Sequence, residues 1–282
     1  MKISSTLKKT TIKSDVLSFD LLESGDVFRI YHNDNQINLL RADLLDGQVA
    51  NIYLRMKDQS PYKVYPLIGI KAQTAFEIKG NQVVYEGSIL DTKYQITLTV
   101  EKDRWYYEVW VDKSNQFKVY DLVYGQDIGI AHTGSIISSE AYTAQYIDHS
   151  IYENNLGYII QSRQNQGLTQ YLQIGALGKT TGFATDGFQI FDKSYKVDFI
   201  MKGLEKELPN ENYQYEFPYL TLSSKDFDAK LTNSFTFYGY YDTSQVGILK
   251  EAIKVTHNYQ PMAKYQPINK TLFNTFDYKM LK

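Results

Sequence analysis

The chain has 282 residues, 43% hydrophobic, 22% charged and 15% aromatic, with 30 basic and 32 acidic side chains and a formal net charge of -2. This composition excludes a disordered chain, and the balanced charge offers neither nucleic acid nor an anionic membrane the positive surface it would need. With no cysteine there is no disulfide, no thiolate catalysis and no cysteine-ligated zinc, which fits a reducing compartment. No stretch reaches the roughly 20 apolar residues of a membrane span, and the basic start MKISSTLKKTTIKSD lacks the apolar centre of a secretory signal. The expectation is a cytoplasmic, soluble protein.

Residues 1–14 read as a tail. A meander of strands follows, with Val16–Leu22 and Val27–Tyr31 separated by Glu23-Ser24-Gly25-Asp26, then a turn at Asn33-Asp34-Asn35 leading to Ile37–Leu40. Gly, Asn and Asp clusters between alternating runs signal hairpins because these residues tolerate positive φ. Val49–Met56 reads as a full strand. Tyr62–Ile70 reads as an edge strand, since Pro61 and Pro66 cannot donate to a ladder. Thr74–Ile78, Val83–Ser88 and Tyr94–Val100 continue the series, the last with a clean period of two. In Trp105–Val111, apolar and aromatic residues occupy both alternating sets, so both faces are expected to be covered, as between packed layers.

Beyond a central stretch, Val119–Phe191, strands resume at Tyr213–Phe217, Tyr219–Leu222 and Phe235–Tyr241. The period then changes. Asp242-Thr243-Ser244 offers cap oxygens, and Val246, Leu249 and Ile253 fall at helical spacing up to His257. From Tyr259 the chain is polar, carries Pro261 and Pro267, and reads as a linker or strap. The pattern predicts on the order of fifteen short strands and two helices, an all-β sandwich with no Gly-rich phosphate loop after any strand. The 25 tyrosines and 14 phenylalanines suit half-buried pleated surfaces, and they also suit stacking on sugars.

The stretch Val119–Phe191 is organised differently: a strand, a Gly-punctuated loop, a short helix capped by Ser139 and running Glu140–His149, a second strand ending in Ser162-Arg163-Gln164-Asn165-Gln166, and a Gly-rich turn region. On that helix Tyr142, Tyr146 and His149 share one face, a candidate partner contact together with Gln164. The four histidines, His32, His132, His149 and His257, have no metal-ligand spacing, so no metal site is expected. Carboxylates cannot be paired across strands from sequence, so no catalytic residue is assigned. Trp105, Trp110, Asp127 and Arg163 are the candidates for facing a carbohydrate, Asp127 because it follows Tyr124-Gly125-Gln126 at a strand end.

Several groupings carry a resemblance: Tyr120-Asp121-Leu122-Val123-Tyr124, Gln126-Asp127, Ser139-Glu140-Ala141-Tyr142, Gln145-Tyr146-Ile147-Asp148-His149, Ser162-Arg163-Gln164-Asn165-Gln166 and Gly182-Phe183-Ala184-Thr185-Asp186-Gly187. In this order they resemble the N-terminal β-sandwich of the family 94 glycoside phosphorylases, and most resemble its 1,2-β-oligoglucan phosphorylase branch. Cellobiose phosphorylases and cyclic β-glucan synthases are more distant relatives of the same kind.

The resemblance implies a large antiparallel β-supersandwich, galactose mutarotase-like, over residues 15–241, with one short inserted helix. Residues 242–282 would then hold the C-terminal helix and a linker toward an (α/α)6 barrel that this chain lacks. It further implies a non-catalytic domain that supports the barrel and takes part in dimerisation, with a β-glucan oligosaccharide as the parent enzyme's substrate. No cofactor is implied, and inorganic phosphate would be a co-substrate bound outside this chain. A stand-alone carbohydrate-binding module and a mutarotase-like aldose epimerase, using His132 and His149, are the other readings; fold analogy alone does not confer either function.

Overall fold

The computed structural model describes residues 9–40, 49–72, 74–165, 170–195, 200–214, 216–244, 252–253, 259 and 265–269. In chain order the strands are β1 (Lys9–Lys13), β2 (Leu17–Leu22), β3 (Val27–His32), β4 (Asn35–Gln36), β5 (Ala50–Met56), β6 (Lys63–Pro66), β7 (Ala75–Lys79), β8 (Gln82–Ile89), β9 (Thr92–Val100) and β10 (Arg104–Val111). They continue with β11 (Val119–Asp127), β12 (Ala131–His132), β13 (Ile147–Asn154), β14 (Gly157–Gln164), β15 (Gln170–Ala176), β16 (Thr180–Asp186), β17 (Pro218–Ser224), β18 (Phe227–Asp228) and β19 (Asn233–Asp242). Two short helices, α1 (Thr133–Ser138) and α2 (Glu140–Ala144), lie between β12 and β13.

These strands form three sheets. Five strands run in the order β1-β2-β3-β4-β12, eight in the order β13-β14-β15-β19-β10-β9-β8-β7, and a six-stranded sheet follows the order β16-β17-β11-β5-β6 with β18 paired to β11. Every named strand pair is antiparallel. The all-β sandwich expected from the alternating pattern is therefore what the chain builds.

The main core lies between the sheets. Phe19 and Leu21 from β2, Ile52 and Leu54 from β5, Leu122 and Tyr124 from β11, and Trp105, Tyr107 and Phe237 from β10 and β19 belong to one buried cluster. β10 sits mid-sheet between β9 and β19 and is covered on both sides, as its sequence predicts. Each outer face has its own cover. Outside the six-stranded sheet, Ile190, Tyr195, Met201, Leu204 and Leu208 pack on Tyr53, Val123 and Tyr219. Beside them the buried Arg55 guanidinium on β5 forks onto Asp121 of β11, with Nε to Oδ1 at 2.8 Å, and donates to the Lys206 carbonyl at 2.6 Å. Such a pair needs its partners, since an unpaired charge there would be desolvated without compensation.

The outer face of the eight-stranded sheet is crossed by the C-terminal segment. Gln173 exchanges two hydrogen bonds with the backbone of Ile253, at 2.8 and 2.9 Å, and Gln95 does the same with Gln266, at 2.9 and 2.6 Å. Tyr259 stacks on Tyr106 with ring centroids 3.7 Å apart and planes 10° from parallel, and its hydroxyl donates to Glu108 at 2.6 Å. The strap expected after Tyr259 thus has an address on the sheet. The helix expected over Val246–His257 lies mostly outside the described residues.

Three local readings change. Lys9–Lys13, read as part of a tail, is an edge strand paired with β2, with Ile12 as its one buried side chain. Ile37–Leu40 is not a strand: Ile37 still donates to the Ile30 carbonyl, but Ile30 donates to the Asn38 side chain, and Leu39 and Leu40 donate to the Asp127 carboxylate instead of to a ladder. Tyr62–Ile70 shortens to Lys63–Pro66 at the sheet edge, where its prolines place it.

Candidate functional site

The inserted helix stops earlier than its sequence predicts. Ser139 caps it, its hydroxyl accepting from the Tyr142 N–H at 3.2 Å, with Glu140 in the first turn. The helix ends at Ala144, and from Ile147 the chain is strand β13, paired residue by residue with β14. A further helix, α1, precedes it; Ile136 anchors α1 against Leu39, Ala131 and Ala144. Tyr142 and Tyr146 therefore remain a surface pair, with hydroxyls 3.1 Å apart and rings edge to face at 5.0 Å. Tyr142 is 55% exposed and the nearby α1 residue Ile137 is 66% exposed.

His149 does not join them. It is buried on β13, its Nδ1 lies 2.8 Å from the Ser162 hydroxyl, and burial lowers its pKa to about 4, so the ring is neutral. Gln164 is also interior; its carbonyl accepts from the Asn165 N–H, and its amide nitrogen points at the carbonyls of Gly129 and Thr143 at 3.4 Å. Both were candidate partner contacts, and both are corrected to scaffold positions, because the β alternation from Ile147 onward turns these side chains inward. His132 caps α1 from the exposed side, its Nδ1 accepting from the Gly134 N–H. The His132 ring is exposed, whereas the His149 ring is enclosed and neutral.

The carbohydrate-facing candidates divide similarly. Trp105 is fully buried, its indole N–H donating to the Tyr124 hydroxyl at 2.9 Å and its ring lying on Gly239, where a Cβ would come within 2.0 Å of it. It presents no face to a sugar. Asp127 is buried too. Its Oδ2 accepts from the N–H groups of Leu39 and Leu40, both at 2.7 Å, its Oδ1 has no partner, and burial raises its pKa to about 7. It is a corner clamp and not a surface group. Trp110 is half-buried on the outer face, under Tyr265 at 5.2 Å. Arg163 is part-exposed and engaged within its own hairpin, donating from Nε and Nη2 to Asp148 at 3.2 and 3.0 Å, while Asn165 donates to the same carboxylate at 3.0 Å. Among the described residues no group of three or more His, Cys, Asp or Glu side chains is placed to hold a metal ion.

A different group of residues lines an open cleft of about 420 Å³: Asp186, Phe188, Asn212, Tyr213, Gln214 and Glu216. Asp186 ends β16 and caps a 3-10 turn, Gly187–Gln189. Its two carboxylate oxygens accept from the N–H groups of Phe188 at 2.8 Å and Phe217 at 2.9 Å. Gln189 reaches back to the N–H groups of Thr185 and Asp186 at 3.0 and 3.1 Å. Phe217 packs so close to Gly187 that a Cβ there would lie 2.2 Å from its ring, and Phe217 itself stacks on Phe191. The turn is thus fixed, and it holds Phe188 outward, 72% exposed.

The opposite wall is tied to the sheet edge. Asn212 donates to the His149 carbonyl and Gln214 accepts from the His149 N–H, both at 3.1 Å, while the Thr185 hydroxyl donates to the Tyr213 carbonyl at 2.7 Å. Tyr213 stays 50% exposed. Burial raises the Asp186 pKa, and the Glu216 charge adds to the effect. The expectation of a strand over Tyr213–Phe217 is corrected here: residues 212–214 and 216–217 are not strand, and Tyr213, Gln214 and Glu216 all line the cleft. The available signal was Asp186-Gly187-Phe188-Gln189, a capping sequence that places an aromatic where nothing covers it.

A profile of the SOGP N-terminal domain matches residues 20–239. The chain belongs to that family. This SOGP N-terminal domain is 34% identical over 276 residues to a 1,2-β-oligoglucan phosphorylase from Listeria innocua serovar 6a; the match takes in 95% of this chain and 25% of that enzyme, so the chain spans about a quarter of its length. Among solved structures, a polysaccharide lyase aligns with a TM-score of 0.51 at 10% identity over 82% of this chain and 33% of that chain. An aldose 1-epimerase homologue from Escherichia coli K12 aligns at 0.48 and 8% identity, over 84% of this chain and 99% of that one. The lyase likeness shows shared fold alone. The matched region of the SOGP N-terminal domain begins within β2 and ends within β19, so it contains the cleft and both short helices.

Proposed function

We propose that this chain is the non-catalytic β-domain of a cytoplasmic glycoside phosphorylase acting on β-glucan oligosaccharides, and that it braces a catalytic (α/α)6 barrel carried by the same or another polypeptide. The observation that supports this most is the family membership together with the extent of the match, one quarter of an enzyme named as a phosphorylase. In this reading the barrel holds the general acid and the phosphate site, and this domain supplies a rigid wall.

The exposed Ile137 and Tyr142, with the half-buried Tyr146 beside them, form the surface best suited to that contact, since they combine apolar area with hydroxyls able to pair across an interface. The same face would serve a homodimer. The experiment is direct. The purified chain, incubated with 1,2-β-linked glucose oligosaccharides and inorganic phosphate, releases no glucose 1-phosphate; mixed with the remaining three quarters of a homologous phosphorylase, it forms a stable complex. Phosphorolysis by the chain alone would overturn the reading.

A further inference from the structure

The geometry points to the cleft between the Gly187–Gln189 turn and the residues Asn212, Tyr213, Gln214 and Glu216 as a binding subsite for a neutral oligosaccharide, with a sugar ring lying against Phe188 and Tyr213. A volume of about 420 Å³ falls in the range of small-ligand sites, ~300–1,000 Å³. Its lining has the mixture such sites use: two exposed rings to cover a ligand's apolar face, and convergent polar groups to orient it.

The polar groups define the ligand class. Asp186 and Glu216 bring two carboxyl groups, and no Lys, Arg or His is among the described lining residues. A phosphate, sulfate or uronate would be repelled, whereas hydroxyl groups can donate to carboxylate oxygens and accept from the Gln214 amide. Both oxygens of Asp186 are already anchored on backbone N–H groups, so the carboxylate is aimed before any ligand arrives. The same holds for the wall opposite, where Asn212 and Gln214 are fixed on His149. Binding here orders little, which lowers its entropic cost. Among the described residues Phe188 is the most exposed of the large apolar side chains, and its outward position is held by a complete capping box rather than by fraying.

The test is calorimetric titration of the 282-residue chain with 1,2-β-, 1,3-β- and 1,4-β-linked glucose oligosaccharides, an oligouronate of matched length, and a short oligolysine. The choice of the 1,2-β series as first probe rests on the phosphorylase reading; the cleft proposal does not. A neutral glucan binds, the oligouronate does not, and Phe188→Ala or Tyr213→Ala weakens binding roughly tenfold, the loss of one good ring contact. Trp110→Ala leaves it unchanged. Both cleft variants replace exposed rings, and unchanged melting and circular dichroism show that they fold. Binding of a 1,3- or 1,4-linked glucan with the same sensitivity to Phe188→Ala upholds the site and counts against the proposed substrate linkage. No heat with any neutral glucan at about 10 mM, binding insensitive to both substitutions, or a preference for oligolysine would each overturn the proposal.

Discussion

Asp127 allows a quantitative test of how a buried carboxyl shapes this domain's stability. Its pKa rises from 3.8 to about 7 because burial removes water from the charged form; the N–H groups of Leu39 and Leu40 oppose the rise, and the charge of Glu140 adds to it. Below about pH 4 the group is protonated in both the folded and the unfolded chain and contributes no pH dependence. Between about 4 and 7 the unfolded chain has released its proton while the folded chain keeps it, so stability falls as pH rises, by about 1.4 kcal/mol per pH unit for one such group. Above about 7 the penalty is constant, roughly 4 kcal/mol.

Asp26 behaves in the same way. It is buried against Ser24 and the Ile70 N–H, with Lys71 nearby, and burial raises its pKa to about 7. Asp127→Asn keeps a carbonyl oxygen for the Leu39 and Leu40 N–H groups, removes the charge, and leaves an amide nitrogen without a partner at a cost of ~1–3 kcal/mol. The variant is therefore expected to be about 1–3 kcal/mol more stable than wild type at pH 8, and no more stable at pH 4. Urea unfolding at pH 4, 5, 6, 7 and 8 measures both curves. If they run parallel across that range, the buried-carboxyl account of Asp127 is wrong.

Other outcomes follow from packing and pairing. Asp121→Ala leaves the buried Arg55 guanidinium without its carboxylate and costs about 3–5 kcal/mol in urea unfolding, far more than Asp148→Ala, whose Arg163 partner is part-exposed. Trp105→Ala opens the central core and costs about 3–5 kcal/mol, read from the shift in the unfolding midpoint. Gly187→Ala drives a methyl group into the Phe217 ring, costs about 1–3 kcal/mol, and weakens glucan binding at the cleft along with it. The pair Tyr142→Ala and Tyr146→Ala changes stability by less than about 0.5 kcal/mol but weakens association with a catalytic domain in a sedimentation or pull-down measurement.

The sheets were legible because strand alternation and burial are the same physical fact. Tyr94–Val100 and Trp105–Val111 have their predicted bounds almost unchanged, and the two-sided aromatic pattern of β10 correctly announces a strand with both faces covered. Resemblance in the Val119–Phe191 region also led to the right family.

The site was less legible, for reasons that can be named. Tyr142, Tyr146 and His149 satisfy a helical spacing, yet Ile147, His149 and Ile151 satisfy a strand spacing equally well; pairing with β14 decides between them, and pairing is not written in a local window. Trp105 and Asp127 attract attention by residue type, but a tryptophan opposite Gly239 has room to lie flat inside the sandwich. The cleft joins Asp186 and Phe188 to Asn212, Tyr213, Gln214 and Glu216, so its chemistry exists only once the chain has folded back on itself.

The strap over the eight-stranded sheet has a mechanical consequence. Its described grips include side-chain amides, ring contacts and one carboxylate: Gln173 on Ile253, Tyr106 and Glu108 on Tyr259, Trp110 beneath Tyr265 and Gln95 on Gln266. None of these is a rung of a strand ladder. They succeed one another from β15 through β10 to β9, transverse to the strands. Tension on the segment would load them one after another, like stitches, and each would part without unpairing a strand below. The sheet can therefore stay intact while its outer face is unlaced, and a pull transmitted along the chain would expose Tyr106, Glu108 and Trp110 without unfolding the domain that carries them.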